Sequence, residues 1–96
     1  MKESYTYITS NKGRTVLYIG VTNNLIKRIE EHKGGKGSLF TKRYNVNELL
    51  YFEKFTSISE AIQREKQLKN WHSLWKWNLI KKENSGLLDL YNELRL

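Results

Sequence analysis

Tyr5-Thr6-Tyr7-Ile8-Thr9 and Val16-Leu17-Tyr18-Ile19-Gly20-Val21, flanking Asn11-Lys12-Gly13-Arg14, decide the fold. Both stretches are rich in Tyr, Thr, Val and Ile, the side chains that suit a half-buried pleated surface. A two-residue turn at Lys12-Gly13 pairs Asn11 with Arg14, Thr9 with Val16, Tyr7 with Tyr18 and Tyr5 with Gly20. Directly opposed residues share a face of a hairpin. This register therefore sets two tyrosines side by side, with open space at Gly20. Leu17, Ile19 and Val21 point the other way and form the expected core face.

A helix is expected to follow from Asn24 to Lys33, capped by Asn23 and stopped by Gly34-Gly35. Leu25, Arg28, Ile29 and His32 fall on one stripe of it, so a cation and an imidazole share the inward side with two aliphatic residues. Gly34–Ser38 reads as a basic, glycine-rich loop, Leu39–Tyr44 as a short helical turn, and Glu48–Phe55 as a third strand with Leu49 to Phe52 buried. Ser57 with Glu60 forms a capping box that opens a helix running to about Trp71. Its apolar stripe is Ile58, Ala61, Ile62 and Leu68, and Glu65 falls in the middle of that stripe. A carboxylate on an apolar face needs a partner, because burying it alone is costly. A further helix carries Trp71, Trp75 and Trp77 and ends near Lys82; Glu83–Gly86 breaks it, and Leu87–Leu94 forms a last short helix. Trp71 and Trp75 share a face and are read as packing against the sheet rather than as stacking platforms.

The chain has 96 residues, which bounds it to one domain over residues 1–96. Cysteine is absent, which excludes disulfides, thiolate metal sites and a cysteine nucleophile. The N-terminus carries no apolar signal core, and no apolar run approaches the ~20 residues that span a bilayer. Cytoplasmic residence, with no membrane association, is the expectation. Lys and Arg number 17 against 10 Asp and Glu, a net charge of +7, which favours a polyanionic partner, nucleic acid first.

Patterning alone thus offers Tyr7, Tyr18, Arg28, His32 and Glu65 as polar groups near a core boundary. Each also has a structural reading: packed tyrosines, an Arg28–Glu65 ion pair, a satisfied boundary histidine. The ordered set resembles a known family. Tyr5-Thr6-Tyr7, ten residues, then Tyr18-Ile19-Gly20 is similar to the paired motif of the GIY-YIG endonuclease superfamily. Arg28 stands where that family keeps an arginine. Ala61 to Lys69 resembles its glutamate-bearing helix, and Asn84 through Tyr91 resembles the tail of small standalone bacterial members.

The resemblance implies an α/β GIY-YIG fold, a small three-stranded antiparallel sheet flanked by helices. It implies a metal-dependent endonuclease acting on phosphodiester bonds, most plausibly in DNA, structure-selective and linked to repair or recombination. Glu65 would hold one divalent ion, Mg²⁺ or Mn²⁺. Tyr18, with Tyr7, would orient or deprotonate the attacking water; Arg28 would clamp phosphate oxygens; His32 would hold or relay a tyrosine proton. Gly20, Lys33, Lys36, Lys42 and Lys69 would meet the nucleic-acid backbone. The family's late asparagine matches either Asn78 or Asn84, and spacing leaves both open. The first motif departs from the family, since Tyr5 and Thr6 replace Gly and Ile, and their side chains could narrow the groove. Two other readings therefore stand beside the nuclease: a nucleic-acid-binding module without catalysis, and a protein-interaction role on the same scaffold. A separate targeting domain has no room, so specificity would come from substrate shape or a protein partner; oligomeric state is left open.

Overall fold

In the computed structural model, which describes residues 3–94, the two opening stretches form β1 (Ser4–Ser10) and β2 (Leu17–Thr22), and the third strand is β3 (Glu48–Phe55). The sheet is antiparallel with the order β2-β1-β3. β1 is therefore central, and nearly every residue of it is buried because both of its faces and both of its edges are covered.

The hairpin register differs from the sequence expectation by two residues. Tyr7 lies opposite Gly20, Thr9 opposite Tyr18 and Tyr5 opposite Thr22. Asn11 is the reason. Its side-chain oxygen accepts from the backbone N–H groups of Thr15 and Val16, and its Nδ2 donates to Thr15 Oγ1. This staple takes up residues that a tight turn would have left in the ladder. Arg14, at φ 58°, turns its guanidinium back onto Glu48 and the Leu87 carbonyl. A slip of one residue would flip every side chain, but a slip of two keeps each on its face. Tyr7 and Tyr18 thus remain on one face, as diagonal rather than direct neighbours.

Among the described residues, five helices surround the sheet: α1 (Leu25–Lys33), α2 (Leu39–Tyr44), α3 (Ile58–Lys69), α4 (Ser73–Glu83) and the single turn α5 (Tyr91–Leu94). The N-cap of α1 is Asn24 rather than Asn23, its side chain accepting from Lys27 N. Gly34 and Gly35 end α1 as expected, Gly35 at φ 76°. Ser57 caps α3 by accepting from Glu60 N. Ser57→Ala should lower unfolding free energy by about 1 kcal/mol, read by urea denaturation; an unchanged midpoint would show that the cap contributes nothing.

α3 ends at Lys69, not Trp71, and is rotated from the expected stripe. Ala61 and Leu68 are buried, whereas Ile58 and Ile62 are 48% and 38% exposed. Polar anchoring sets this rotation. Arg64 makes a forked hydrogen bond to Glu53 of β3, which also accepts from Tyr51, and the guanidinium lies over the Trp71 ring.

The sheet has apolar clusters on both faces, not one. Ile8, Ile19, Leu50, Leu68 and Ile80 pack on one side with Trp71 and Trp77 alongside. Tyr7, Leu25, Ile29 and Leu49 pack on the other. An irregularity in the β1–β3 pairing beside Ile8 and Thr9 leaves Leu50 as an extra residue, so the consecutive Leu50 and Tyr51 join one cluster while Leu49 joins the other. Trp75 departs from its expected packing and is exposed, its ring edge-on to Trp71.

The last expected helix shrinks to its final turn. Asn84 Nδ2 donates to the Leu50 and Leu88 carbonyls and its Oδ1 accepts from Leu88 N, while Leu90 N donates to Leu49 O. Asp89 accepts from the backbone N–H groups of Leu49 and Tyr91. These bonds hold residues 87–90 beside β3 in a non-helical conformation, with Leu87 at φ 51°. Among the described residues, no helix is long and apolar enough to cross a membrane.

Candidate active site

Tyr7 is the node. It sits at the centre of β1, fully buried, and its hydroxyl lies 3.1 Å from His32 Nε2 on α1. Its ring packs against Tyr18 of β2 at 6.4 Å and against His32 at 5.8 Å, and Tyr18 lies 5.8 Å from the same imidazole. The space for the Tyr7 ring is made by Gly20. A Cβ there would fall 2.5 Å from the Tyr7 hydroxyl and 2.6 Å from Cζ. The third residue of the second motif is thus a glycine because the third residue of the first is a tyrosine lying across it.

His32 is buried, and Gly37 closes over it: a Cβ at Gly37 would come 2.7 Å from Nδ1. Nδ1 makes no hydrogen bond with the described residues. An orphaned lone pair is less costly than an orphaned N–H, so the preferred tautomer carries its proton on Nε2 and donates to Tyr7. Burial, and next the charge of Arg28, lower the His32 pKa, so the ring is held neutral. The sign for stability follows. Above about pH 6.5 neither state gains a proton, and below it the unfolded chain binds one that the native ring resists. Stability should therefore fall as pH drops from 6.5 toward and through the lowered native value. His32→Gln should flatten that part of the thermal-stability profile, and an equal slope in both proteins would refute the assignment.

Burial also pushes the Tyr7 hydroxyl well above the ordinary tyrosine range, with the charges of Tyr18 and, less strongly, Glu65 adding to it; Arg28 opposes by charge and hydrogen bonding. Tyr7 is thus a protonated phenol under neutral conditions. Arg28 is 43% exposed and faces Glu31, whose carboxylate lies 3.2 Å from Nε without forming an aligned hydrogen bond. The Arg28–Glu65 ion pair considered from sequence is not formed. A cleft of about 120 Å³ runs beside Arg28, lined by Thr22, Asn24, Lys27 and Glu31.

Glu65 arrives from α3. Thr6 Oγ1, one residue before Tyr7, donates at 2.7 Å to the Ala61 carbonyl. By the helical repeat this is the carbonyl that serves the N–H of Glu65. The hydroxyl therefore docks α3 on β1 one turn before the carboxylate, which is close enough to act on Tyr7 electrostatically. Thr6 is buried in this role, and Tyr5 packs edge-on against Phe52. The two residues that depart from the family motif are thus engaged in packing. Glu65 is 20% exposed, and its side chain pairs with Lys69 at 3.3 Å.

The lysines divide. Lys33 is bonded to Asp89 of the tail at 2.5 Å and lies over the Tyr91 ring, and Lys69 is paired with Glu65. Lys36 and Lys42 are exposed and form no ion pair with the described residues. Asn78 is exposed on α4, whereas Asn84 is buried with its amide committed to the tail clamp. Sequence reasoning missed Thr6 as the α3 dock, Gly37 as the cover of His32, and Phe40, which stacks on Tyr18 at 6.1 Å. The glycine-rich loop hinted at the second, but no local pattern marked the others.

The family profile described as the GIY-YIG catalytic domain matches residues 3–84. The chain belongs to the GIY-YIG family. It is 38% identical over 79 residues to a UPF0213 protein of Oceanobacillus iheyensis, covering 82% of this chain and 91% of that one. A UPF0213 protein of Staphylococcus haemolyticus is 39% identical over 80 residues, covering 83% and 96%. The solution NMR structure of the UPF0213 protein BH0048 from Bacillus halodurans superposes with a TM-score of 0.54 at 28% identity, covering 85% of this chain and 86% of that one. The GIY-YIG domain places the chain in a nuclease superfamily whose substrates are nucleic acids and whose members use divalent metal ions.

The GIY-YIG site has the donor chemistry for such an ion. Among the described residues, no group of three or more His, Asp or Glu side chains gathers. A lone half-buried carboxylate suits Mg²⁺, which keeps several waters and binds through one or two carboxylates together with substrate phosphate. Glu65 is the residue that would hold it.

Proposed function

We propose that this GIY-YIG domain is a metal-dependent endonuclease that hydrolyses phosphodiester bonds in DNA, choosing its target by substrate shape. The observation that carries the reading is the convergence on the Tyr7 hydroxyl. His32 is bonded to it, Tyr18 is packed on its ring, and Arg28 and Glu65 act on it from two different helices. Core packing alone does not require a histidine, an arginine and a carboxylate around one buried phenol.

In this reading the roles divide by exposure. Tyr7 stays protonated and serves as a fixed hydrogen-bonding post. His32 holds it by donating from Nε2, which leaves the phenolic proton to point toward the reacting groups. Tyr18, only partly buried, positions the attacking water. Arg28, with its planar fork at the surface, binds the phosphate oxygens and offsets the charge that builds on them. Glu65 holds Mg²⁺ or Mn²⁺, which when bound would neutralise phosphate charge. Lys36 and Lys42 draw in the backbone, whereas Gly20, buried under the Tyr7 ring, does not meet it and serves by giving that ring its space. Of the two asparagines, the exposed Asn78 is the one whose amide is free of the tail clamp that engages Asn84, which favours Asn78 for a substrate contact. Residence in the cytoplasm, a part in repair or recombination, and a protein partner that supplies targeting fit a domain of this kind.

The non-catalytic alternative rested on Tyr5 and Thr6 crowding the groove. The engagement of Thr6 with α3 and of Tyr5 with Phe52 favours retained catalysis. The test is cleavage of labelled single-stranded, duplex, flapped and branched DNA, and of RNA, with Mg²⁺, Mn²⁺ or chelator, beside the Glu65→Ala protein. Metal-dependent cutting that is lost in the variant is the expected result. Binding without cutting in any metal would replace the nuclease by a binding module.

A further inference from the structure

The row of rings does not stop at Tyr18. Phe40 of α2 lies beside it with centroids 6.1 Å and planes 29° apart, and Tyr44 meets Phe40 at 4.9 Å. Ser38 caps α2 and Asn45, at φ 54°, ends it, so the one turn between them puts Phe40 and Tyr44 at i and i+4 on one side. Both are 44% exposed. The rings thus run outward from the buried Tyr7 to the surface.

Charge follows the same path. From Gly34 to Asn47 the chain holds Lys36, Lys42 and Arg43 and no acidic residue. The Arg43 guanidinium lies 5.5 Å from the Tyr44 ring centroid, and these three cations form no ion pair with the described residues. Half-exposed aromatic rings flanked by cations outside any ion pair among the described residues match a partner with planar apolar faces and a regular anionic backbone. A nucleic-acid strand with unpaired bases has both. A duplex has the backbone but hides its base faces in the stack.

We propose that α2 is a base-stacking platform, with Phe40 and Tyr44 holding unpaired bases of a strand whose backbone then passes Tyr18. This rests on the nucleic-acid reading of the site and names its substrate class, but it does not depend on cleavage. The platform makes single strands, flaps and frayed junctions the preferred targets.

Binding in chelator tests it, using a short labelled strand, the same sequence closed in a hairpin duplex, and an abasic strand of equal length, in DNA and RNA form. The parent protein should bind the base-bearing strand more tightly than the duplex. Phe40→Ala and Tyr44→Ala should each weaken that binding about five-fold or more. The salt dependence and abasic-strand binding should stay as in the parent, and Phe40→Trp should retain affinity. Lys42→Ala should instead weaken all three probes and reduce the salt slope. Because both rings are only half buried, the variants should stay folded at the assay temperature and lose no more than several degrees in unfolding temperature. Parental affinity in the ring variants, equal loss on the abasic strand, or preference for duplex would overturn the platform. A parent protein that stacks strands in this way but cuts nothing with Mg²⁺ or Mn²⁺ would overturn the nuclease and leave the platform standing. Parental strand binding by both ring variants, together with metal-dependent cutting by the parent, would do the reverse.

Discussion

Arg28→Ala should slow cleavage by about 10²–10³ while leaving the fold almost untouched. The catalytic part of this expectation comes from geometry. Arg28 sits on the inward stripe of α1 but keeps 43% of its side chain exposed, beside a small cleft and within electrostatic reach of Tyr7. Removing one preorganised donor from an oxyanion-stabilising site costs on the order of 10²–10³ in rate. The structural part comes from its partners. Its ion pair with Glu31 is exposed and poorly aligned, and such i,i+3 pairs contribute only a few tenths of a kcal/mol. Arg28→Lys keeps the charge and loses the fork, so it should fall between the two, with KM less affected than kcat. Single-turnover cleavage beside thermal unfolding reads both quantities. A parental rate in Arg28→Ala would remove this residue from the site, and a large drop in unfolding temperature would reassign it to structure.

Gly20→Ala is the second large effect, and here stability and activity should fall together. The added methyl would lie 2.5 Å from the Tyr7 hydroxyl and 2.9 Å from Cε1. A flexible surface side chain would swing aside, but Tyr7 is fully buried and held at His32. The ring or β2 must therefore shift. Overpacking of this kind costs about 1–3 kcal/mol, which for a domain of this size lowers the unfolding temperature by several degrees or more. The same displacement moves the phenol on which four other side chains converge. A misplacement of about 1 Å is enough to reduce turnover about 100-fold. Calorimetry and a cleavage assay on the same preparation test the pair of expectations. A Gly20→Ala protein with the parental melting temperature would show that the Tyr7 ring has room to move.

Family membership was legible because its residues answer to local rules. Enrichment in Tyr, Thr, Val and Ile around a turn marked the first two strands, the Ser57–Glu60 box marked the start of α3, and Gly34-Gly35 marked the end of α1. The α1 stripe put Leu25, Ile29 and His32 inward, and all three are buried. Glu65 stood out as a carboxylate on an otherwise apolar face, which local periodicity reveals without any knowledge of the fold. The expected Tyr7–Tyr18 proximity survived a wrong register because the error was two residues, and sidedness in a strand repeats every two.

What failed did so where side chains reach across the chain. Asn11 lengthened the hairpin loop by bonding backbone N–H groups four and five residues on. Asn84 and Asp89 kept residues 87–90 from becoming helix by bonding to β3, more than thirty residues away in sequence. Arg64 turned α3 by pairing with Glu53, leaving Ile58 and Ile62 in solvent. Helical periodicity counts hydrophobic faces and does not register such long-range polar anchors.

By itself, then, the sequence determined the strands, the main helices and the sidedness of the hairpin and of α1, and it singled out the tyrosine, arginine, histidine and glutamate set as candidates, because each follows from interactions within a few residues or from an ordered motif. Only the tertiary structure decided that Thr6 docks the glutamate helix one turn before Glu65, that Tyr7 lies across Gly20, that Arg28 faces Glu31 rather than Glu65, and that Phe40 extends the ring row to the surface. Each of those is a contact between separate elements, set by how helices settle on a sheet whose two faces compete for the same buried side chains.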